Sequence, residues 1–320
     1  MPTHHEPGAG VLAVDIGATK MAAAIVAEDG TIVAQDRTTT SPTGDAEFLF
    51  HGLEQLCRRV IEDARTPARG IGVGCSGPMR YFDGLVSPLN FAGWRDFPLR
   101  QRLSSAFTLP CVVDNDAKAL VVGERWLGAG RGADNVVAMV VSTGVGAGAI
   151  VDGRLVHGRT GNAGHLGHII VWPGGPLCGC GARGCVEGVA SGSGLARRLR
   201  AATAQGRPTA LPPDATTADI ADAARAGDAL AVELFQTAGA AVGRGIASAA
   251  ALLDVGLFVV GGSIALRAWD LLGPPLEAEV RQSAQLDFTR DLRVVPAALG
   301  DEGGLLGAAA LALGLPAVAD

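Results

Sequence analysis

Residues 165–187 contain the feature that most constrains this chain, two histidines followed by three closely spaced cysteines: His165, His168, Cys178, Cys180 and Cys185. Three thiolates and one imidazole nitrogen, at about 2.0–2.3 Å from the metal, form a tetrahedral Zn²⁺ site. The glycines between the cysteines permit tight turns that bring three sulfur atoms together. Because four protein ligands leave no open position for water, the pattern predicts a structural zinc rather than a catalytic one.

Three buried thiols beside an unrelated histidine are the alternative interpretation, because isolated cysteines usually pack as small apolar side chains. Half of the six cysteines fall within eight residues, which favours the zinc site. The other three, Cys57, Cys75 and Cys111, lie in or beside apolar runs and are predicted to be core thiols. A disulfide framework is not expected in a chain of this size and cysteine density.

Composition excludes several classes of protein. A net charge of −6 argues against the basic surface that nucleic-acid binding requires. The sequence shows neither an apolar leader nor an uninterrupted apolar run of ~20 residues, so it predicts a cytoplasmic protein without a membrane partner. The length of 320 residues is enough for two domains.

Hydrophobic patterns indicate an α/β architecture with two similar halves, because strands come first, helices follow, and a strand and helix close the chain. Predicted strands cover 11–16, 21–27, 31–35, 70–75, 110–113, 136–142, 149–151, 153–155, 256–260 and 293–297. Predicted helices cover 46–64, 117–127, 192–204, 217–226, 229–253 and 304–313.

Two glycine-rich turns, one in each half, suit a polyphosphate. Residues 15–20 (DIGATK) and 142–148 (STGVGAG) both lie between apolar strands, where backbone N–H groups can face an anion. Asp15, an acid at the end of a strand, is suited to a hydrated Mg²⁺. Each turn alone is also compatible with a plain hairpin, but the pair predicts two loops that close on a triphosphate. A third turn, Gly261-Gly262, suits the face of an adenine ring or is an ordinary strand-to-helix turn.

An acidic segment, Asp114-Asn115-Asp116, lies where a predicted strand becomes a helix. A carboxylate at a helix N-terminus is stabilised by the partial positive charge there and tends to stay ionised. An ionised aspartate directed at a hydroxyl group is the base that phosphoryl transfer to an alcohol uses. The alternative for Asp114 or Asp116 is a simple helix cap.

In this order, the motifs resemble the ROK family of sugar kinases and repressors. The matching segments are DIGATK at 15–20, SPLNFAGW at 87–94, VVDNDAKA at 112–119, STGVGAG at 142–148, AGHLGH at 163–168, CGCGARGCVE at 178–187 and VVGG at 259–262. The resemblance implies an actin/hexokinase-like, ribonuclease H-like α/β fold whose two domains close an interdomain cleft on ATP and a sugar. We expect a small domain of residues 1–116 plus 304–320, and a large domain of residues 117–303 that carries the zinc loop (165–187).

The resemblance also implies roles for individual residues, with Asp116 as the catalytic base that deprotonates the 6-hydroxyl of a hexose. The implied sugar-binding residues are Asn90, Asn115, Asp116, His165, His168 and Glu187. The residues implied to surround ATP and Mg²⁺ are Asp15, Gly17, Thr19, Lys20, Thr143, Gly144, Gly261 and Gly262. The implied zinc ligands are His168, Cys178, Cys180 and Cys185. The resemblance further implies a homodimer or a dimer of dimers. ATP is the expected donor, and polyphosphate is the alternative donor.

One departure from the family pattern concerns the sugar. His165 stands where the family usually has a glutamate that contacts the sugar near C1 and C2, and an imidazole changes both charge and hydrogen-bonding direction. Either this change is tolerated in a glucose kinase, or it redirects the enzyme to an amino or N-acyl hexose such as glucosamine, N-acetylmannosamine or kanosamine. Lys118 in place of asparagine and Ala147 in place of glycine are milder departures.

A function of another class is a ROK-type transcriptional repressor. Such family members carry a helix-turn-helix ahead of the kinase-like body. Only ten residues precede the first predicted strand at Val11, so we expect an enzyme.

Overall fold

The computed structural model describes residues 9–40, 45–89 and 93–315, which form an α/β protein with two five-stranded sheets. The strands are β1 (Gly10–Ile16), β2 (Lys20–Val26), β3 (Ile32–Thr39), β4 (Ala68–Cys75), β5 (Met79–Arg80), β6 (Leu85–Val86), β7 (Cys111–Asn115), β8 (Val136–Val141), β9 (Val145–Val151), β10 (Arg154–Leu155), β11 (Leu257–Gly261) and β12 (Arg293–Pro296). The helices are α1 (Ala46–Ala64), α2 (Leu99–Phe107), α3 (Asp116–Leu127), α4 (Val186–Ala190), α5 (Gly192–Ala204), α6 (Thr217–Arg225), α7 (Ala229–Leu253), α8 (Ser263–Arg267), α9 (Trp269–Ser283) and α10 (Gly303–Ala312). The predicted strands and helices are all present, with boundaries shifted by a few residues.

Two compact units divide the chain. The first comprises Met1–Asp134, Gly148–Gly164 and Asp301–Asp320, and the second comprises Asn135–Ala147 and His165–Gly300. These boundaries differ from the predicted ones, which separated residue 116 from the helix that follows it. That helix, α3, belongs to the first unit because it packs against α10 there.

Small residues make this close packing of α3 on α10 possible. A Cβ atom on Gly123 would lie 2.9 Å from the Cα of Gly307, closer than two carbon atoms normally approach. The contact joins the C-terminal helix of the described chain to the helix that begins at Asp116, and thereby keeps α3 in the first unit.

The sheet of the first unit has the strand order β3-β2-β1-β4-β7, with β1, β4 and β7 parallel. Strand β1 is apolar except for Asp15 and is buried, as is typical of a central parallel strand. The register places Asp15, Gly74 and Asp114 in one row across the three parallel strands. Their carboxyl ends therefore lie at one edge, the part of an open α/β sheet where ligands usually bind.

The second sheet has the order β10-β9-β8-β11-β12, with β11 parallel to both β8 and β12. In the second unit, α9 packs along α7, where a Cβ on Gly239 would lie 2.6 Å from the carbonyl oxygen of Leu272. Helix α9, which contains Pro274 and Pro275, was not among the predicted helices. Proline normally ends a helix, but packing against α7 outweighs the lost hydrogen bonds here. In the described part of the chain, no helix has both the length and the apolar character needed to cross a membrane.

Candidate active site and metal centre

Two aspartates come together at the edge of the first sheet. Asp15 is the second-last residue of β1, and Asp116 follows β7 directly as the first residue of α3. Gly74 lies between them on β4, and a Cβ there would be 3.5 Å from the Cα of Asp116 and 3.9 Å from Oδ1 of Asp15. The absence of a side chain on the middle strand therefore leaves room for the two carboxyl groups.

Loss of hydration changes the acidity of both groups. Burial raises the pKa of Asp15 to about 7, the charge of Asp116 adds to the rise, and the charge of Lys20 opposes it. Burial also raises the pKa of Asp116, against the effect of the Ala117 N–H, which donates to Asp116 Oδ1 at 2.8 Å. A pair of poorly hydrated carboxyl groups is an environment that a divalent cation would stabilise, so the donor set fits the Mg²⁺ expected at Asp15.

Helix α3 is capped by the residue between the two aspartates. Asn115 is the N-cap, and its side-chain oxygen accepts a hydrogen bond from the Ala117 N–H at 3.1 Å. Asp114 belongs to β7, where its Oδ1 accepts from the Asn115 N–H at 2.7 Å. Because Asn115 is the cap, Asp116 lies within the first turn of the helix.

The first glycine-rich turn is fixed mainly by its own hydrogen bonds. The Gly17 N–H donates to the carbonyl of Lys20 at 3.0 Å, so it is used within the turn. Thr40 adds two bonds, from its hydroxyl to the Gly17 carbonyl at 2.9 Å and from its N–H to the Thr19 carbonyl at 3.0 Å. The side chains of Thr19 and Lys20 are exposed and accessible to a ligand.

Gly304, which was not among the predicted site residues, also lies beside the acid pair, Asp15 and Asp116. A Cβ atom on Gly304, near the start of α10, would lie 2.6 Å from Asp15 Oδ2. Glycine therefore lets the N-terminal turn of α10 approach the carboxyl group. The signal in the sequence is the Gly303-Gly304 pair at the start of a predicted apolar helix, which does not by itself indicate its partner.

The second glycine-rich turn is held by several elements of the second unit. Glu187 Oε2 accepts a hydrogen bond from the Val145 N–H at 3.0 Å, and the Ser142 carbonyl accepts from the Gly192 N–H at 2.8 Å. A Cβ on Gly144 would lie 2.8 Å from Glu187 Oε2, so this glycine permits the contact. Thr143, between Ser142 and Gly144, remains exposed.

The third turn has a backbone that favours glycine. Gly261 ends β11, and Gly262 has a φ of +92° at the start of α8. A Cβ on Gly262 would lie 2.6 Å from the Val141 carbonyl oxygen. Both the conformation and the close approach to β8 therefore exclude a side chain at this position.

The four predicted metal ligands converge. The ligand atoms of His168, Cys178, Cys180 and Cys185 all lie within 4.8 Å of one another. The Cys178 Sγ to His168 Nδ1 distance is 3.8 Å, as is the Cys180 Sγ to Cys185 Sγ distance. Metal–sulfur bonds of about 2.3 Å in a tetrahedron separate two sulfur atoms by about 3.8 Å, so the group has the dimensions of a tetrahedral metal site.

The two histidines of this segment differ in their position relative to the metal-ligand group. His168 belongs to the ligand group, whereas His165 precedes a short 3₁₀ turn (Leu166–His168) and its ring centre lies 5.9 Å from that of His168. Glu187 lies beside the same group, with Oε1 at 3.6 Å from Cys178 Sγ. Through its two oxygens, Glu187 therefore contacts both the metal-ligand group and the turn at Val145.

The remaining predictions have different outcomes. Cys57 and Cys75 are buried free thiols, and Cys111 is a partly buried one. Asn90, a predicted sugar-binding residue, lies outside the described residues.

Comparisons with known proteins agree over nearly the whole chain. The model of the ROK family matches residues 11–314. A glucokinase of Thermotoga maritima is 33% identical over 314 residues, which covers 94% of this chain and 96% of the relative. An N-acetylmannosamine kinase of Citrobacter koseri is 39% identical over 305 residues, which covers 95% of this chain and 98% of the relative.

A solved structure is similar over the same extent. The ROK family glucokinase of Streptomyces griseus, in complex with glucose and AMPPNP, is 34% identical to this chain. The superposition has a TM-score of 0.83 and covers 95% of this chain and 99% of the other. The similarity therefore covers both compact units.

Proposed function

This chain belongs to the ROK family, and we propose that it is an ATP-dependent kinase that phosphorylates the 6-hydroxyl of a hexose, with glucose as the expected substrate. The observation that carries the proposal is the position of Asp116, a poorly hydrated carboxyl group in the first turn of α3 and beside Asp15. Relatives named glucokinase that match almost the full chain support the substrate class.

Asp116 is the proposed catalytic base. As the hydroxyl oxygen forms its bond to the γ-phosphorus of ATP, the hydroxyl proton passes to the Asp116 carboxylate and ADP leaves. The raised pKa of Asp116 makes its carboxylate a better proton acceptor than an ordinary aspartate, provided that it is ionised at the working pH.

The nucleotide would be bound by the glycine-rich turns. The exposed side chains of Thr19, Lys20 and Thr143, with the backbone at Gly144, are suited to the phosphates. The turn at Gly261 and Gly262, which lacks side chains, would border the nucleoside. When bound at Asp15, Mg²⁺ would neutralise charge on the transferring phosphoryl group.

For the second unit, we propose that a structural Zn²⁺ binds His168 and the three cysteines and thereby fixes two sugar-binding side chains. His168 would use one ring nitrogen for the metal and the other for a sugar hydroxyl, while Glu187 follows the last cysteine ligand by two residues. Asn90, Asn115 and His165 complete the proposed sugar contacts. Since Glu187 also accepts a hydrogen bond from the Val145 N–H, the zinc would stabilise the second glycine-rich turn as well.

The proposal extends to the setting of the enzyme. We expect a cytoplasmic homodimer or dimer of dimers without a nucleic-acid partner, in agreement with the net charge of −6. Light scattering after size-exclusion chromatography measures the oligomeric state directly.

The function is tested by coupled detection of ADP release with a panel of glucose, mannose, glucosamine, N-acetylmannosamine and kanosamine. N-acetylmannosamine is included because kinases of that sugar are among the relatives. Polyphosphate replaces ATP in a parallel series to identify the donor. A wild-type protein that releases ADP with none of these sugars would contradict the proposal.

The assignment of the base is tested with Asp116→Asn, which should lower kcat by roughly 10²–10⁴-fold because general base catalysis is lost. Asp29→Asn is the matched control, since Asp29 is an exposed turn residue of the same unit whose Oδ1 accepts the Thr31 N–H. Nearly full activity of Asp116→Asn would show that another group accepts the proton.

A further inference from the structure

A buried charge cluster in the first unit has no role in the steps described above. It consists of Lys118, Asp114 and His157. The Lys118 ammonium and the Asp114 carboxylate have no exposed surface, and Nζ lies 3.4 Å from Oδ1. The other carboxylate oxygen of Asp114 lies 3.3 Å from Nδ1 of His157, which is one-third exposed.

The cluster includes residues on both sides of the proposed base. Asp114 precedes Asp116 by two residues at the end of β7, and Lys118 follows it by two residues in the first turn of α3. The ion pair at i and i+4 therefore spans the strand-to-helix junction at Asn115 and Asp116. Any change in this pair acts on the backbone that carries the Asp116 carboxyl group.

Lys118 also ties this junction to the loop of residues 157–162. Its Nζ donates a hydrogen bond to the Gly161 carbonyl at 2.7 Å. The same loop is held to β5 by Asn162, whose Oδ1 accepts the Met79 N–H at 3.1 Å and whose Nδ2 donates to the Met79 carbonyl at 2.8 Å.

An aromatic contact closes the cluster on its remaining side. The His157 ring stacks on Tyr81 with ring centres 4.3 Å apart, and Lys118 Nζ lies 5.9 Å from the centre of the Tyr81 ring. Burial and the charge of Asp114 raise the pKa of Tyr81, while Arg100 opposes the rise, so Tyr81 is neutral at ordinary pH. The charged groups of the cluster are therefore Asp114, Lys118 and, when protonated, His157.

A buried charge cluster contributes little to the free energy of unfolding, because its charged groups lose their hydration. Burial lowers the pKa of Lys118, against the effect of Asp114, which shows that the site disfavours the ammonium form. A buried ion pair often contributes less stability than apolar side chains of similar volume. What apolar side chains would lack is the directional bond to Gly161 and the fixed geometry at the junction.

We propose that Lys118 is a positioning residue for Asp116: with Asp114 and the Gly161 carbonyl it joins the first turn of α3 to the loop 157–162 and fixes the orientation of the base. The inference rests on the proposed kinase function, and it adds a residue that does not itself touch the reacting atoms. A small misplacement of a catalytic group can lower a rate by about a hundredfold.

The test compares Lys118→Met with the double variant Asp114→Asn/Lys118→Met. The single variant leaves Asp114 buried without a cation, so we expect a lower Tm, faster amide exchange in 114–118 and 157–162, and a kcat lowered roughly tenfold or more with KM for ATP little changed. In the double variant the uncompensated charge is gone, so Tm should recover. Because the bond to Gly161 is still absent, kcat should stay low.

A merely structural role predicts a different result, namely that kcat returns together with Tm in the double variant. That outcome, or unchanged exchange at 157–162 in Lys118→Met, overturns the proposal. Arg198→Met is the exchange control, because Arg198 is a partly buried cation of the second unit that donates to backbone carbonyls, those of Val189 and Leu234, both at 3.2 Å. It should not alter exchange at 114–118 or 157–162.

Activity, amide exchange and Tm distinguish a failure of the role of Lys118 from a failure of the proposed kinase function. If the wild type phosphorylates no sugar, the kinase assignment and the role toward Asp116 both fail. Amide exchange and Tm do not depend on activity, and they still decide whether Lys118 joins the two segments.

Discussion

The side chains of the acid pair and those of the cysteine loop are held in position by different means. Asp15 and Asp116 lie at the ends of parallel strands, where sheet register and the packing of α3 and α10 set their positions. The cysteine loop (165–187) has little regular structure, with one 3₁₀ turn, isolated β-bridges and the start of the five-residue helix α4. Packing of strands and helices holds the first region, and metal–ligand bonds would hold the second in the proposed zinc-bound protein.

The cysteine loop and the first unit also differ in how far their apolar side chains are buried. Three of the loop's large apolar side chains, Ile170, Trp172 and Leu177, are more than 40% exposed, whereas Leu166 and Val186 near its two ends are buried. In the first unit, by contrast, β1, which leads to Asp15, is almost entirely buried, and β7, which leads to Asp116, is partly buried and has no exposed residue. In the proposed zinc-bound protein, the four converging ligands of the cysteine loop would add metal–ligand bonds that order this partly exposed segment.

The largest effect should follow from removing one ligand, and it should be confined to the cysteine loop. We expect Cys185→Ser to lower bound zinc from about one ion per chain to near zero and to make residues 165–187 sensitive to protease, because three ligands hold the metal much less tightly. Cys57→Ser, a buried free thiol of the first unit, is the matched control and should keep its zinc. Metal content and proteolytic mapping measure both outcomes, and a Cys185→Ser protein with full zinc would contradict the comparison.

An intermediate effect should follow from removing the charge of Asp15. Its pKa in the folded chain is about 7 against an ordinary value of 3.8, so ionisation disfavours the folded state increasingly as pH rises from about 4 to 7. Since one pKa unit corresponds to about 1.4 kcal/mol, the cost above pH 7 reaches up to roughly 4 kcal/mol. Asp15→Asn removes it, so we expect a higher Tm than wild type at pH 8 and no gain at pH 4, both without Mg²⁺.

Thermal melts with and without Mg²⁺ check this prediction. Added Mg²⁺ should raise the Tm of the wild type at pH 8 more than that of Asp15→Asn, because the cation would compensate the buried charge. Asp29→Asn serves as the control, since hydrogen bonds at the exposed Asp29 lower its pKa and give the opposite pH trend. Equal destabilisation of Asp15→Asn at both pH values would show that the carboxyl group is stabilised within the fold.

The smallest effect should come from His165, which lies in the cysteine loop but outside its ligand group. We expect His165→Glu to change the ratio of kcat/KM for glucose to that for N-acetylmannosamine by roughly tenfold, because a carboxylate only accepts hydrogen bonds, whereas an imidazole N–H donates one. Zinc content should not change. His51→Glu, on the exposed face of α1, is the control, and an unchanged ratio in His165→Glu would show that residue 165 does not select the sugar.

Much of the fold and of the candidate site is encoded in contiguous residues. Apolar periodicity predicted the helix Ala46–Ala64 with its observed bounds, and the apolar run before DIGATK predicted β1. Ligand spacing predicted the metal group, because cysteines separated by one and four residues are already close in the chain. The junction at Asp116 was predictable for the same reason, since a strand pattern and a helix pattern follow one another directly. Its capping residue was not, because the sequence suggested Asp114 or Asp116 and the structure has Asn115.

Other features depend on packing between distant segments, and only the tertiary structure decided them. The 3₁₀ turn at Leu166–His168 brings His168 to the cysteine sulfur atoms, and this contact forms only in the folded loop. Gly304 lies beside Asp15 in the structure, although nearly the whole length of the chain separates them in sequence. Lys118 meets the Gly161 carbonyl 43 residues away. Local residue patterns determine elements and ligand sets, whereas these contacts exist only because the folded sheet and helices bring remote segments together.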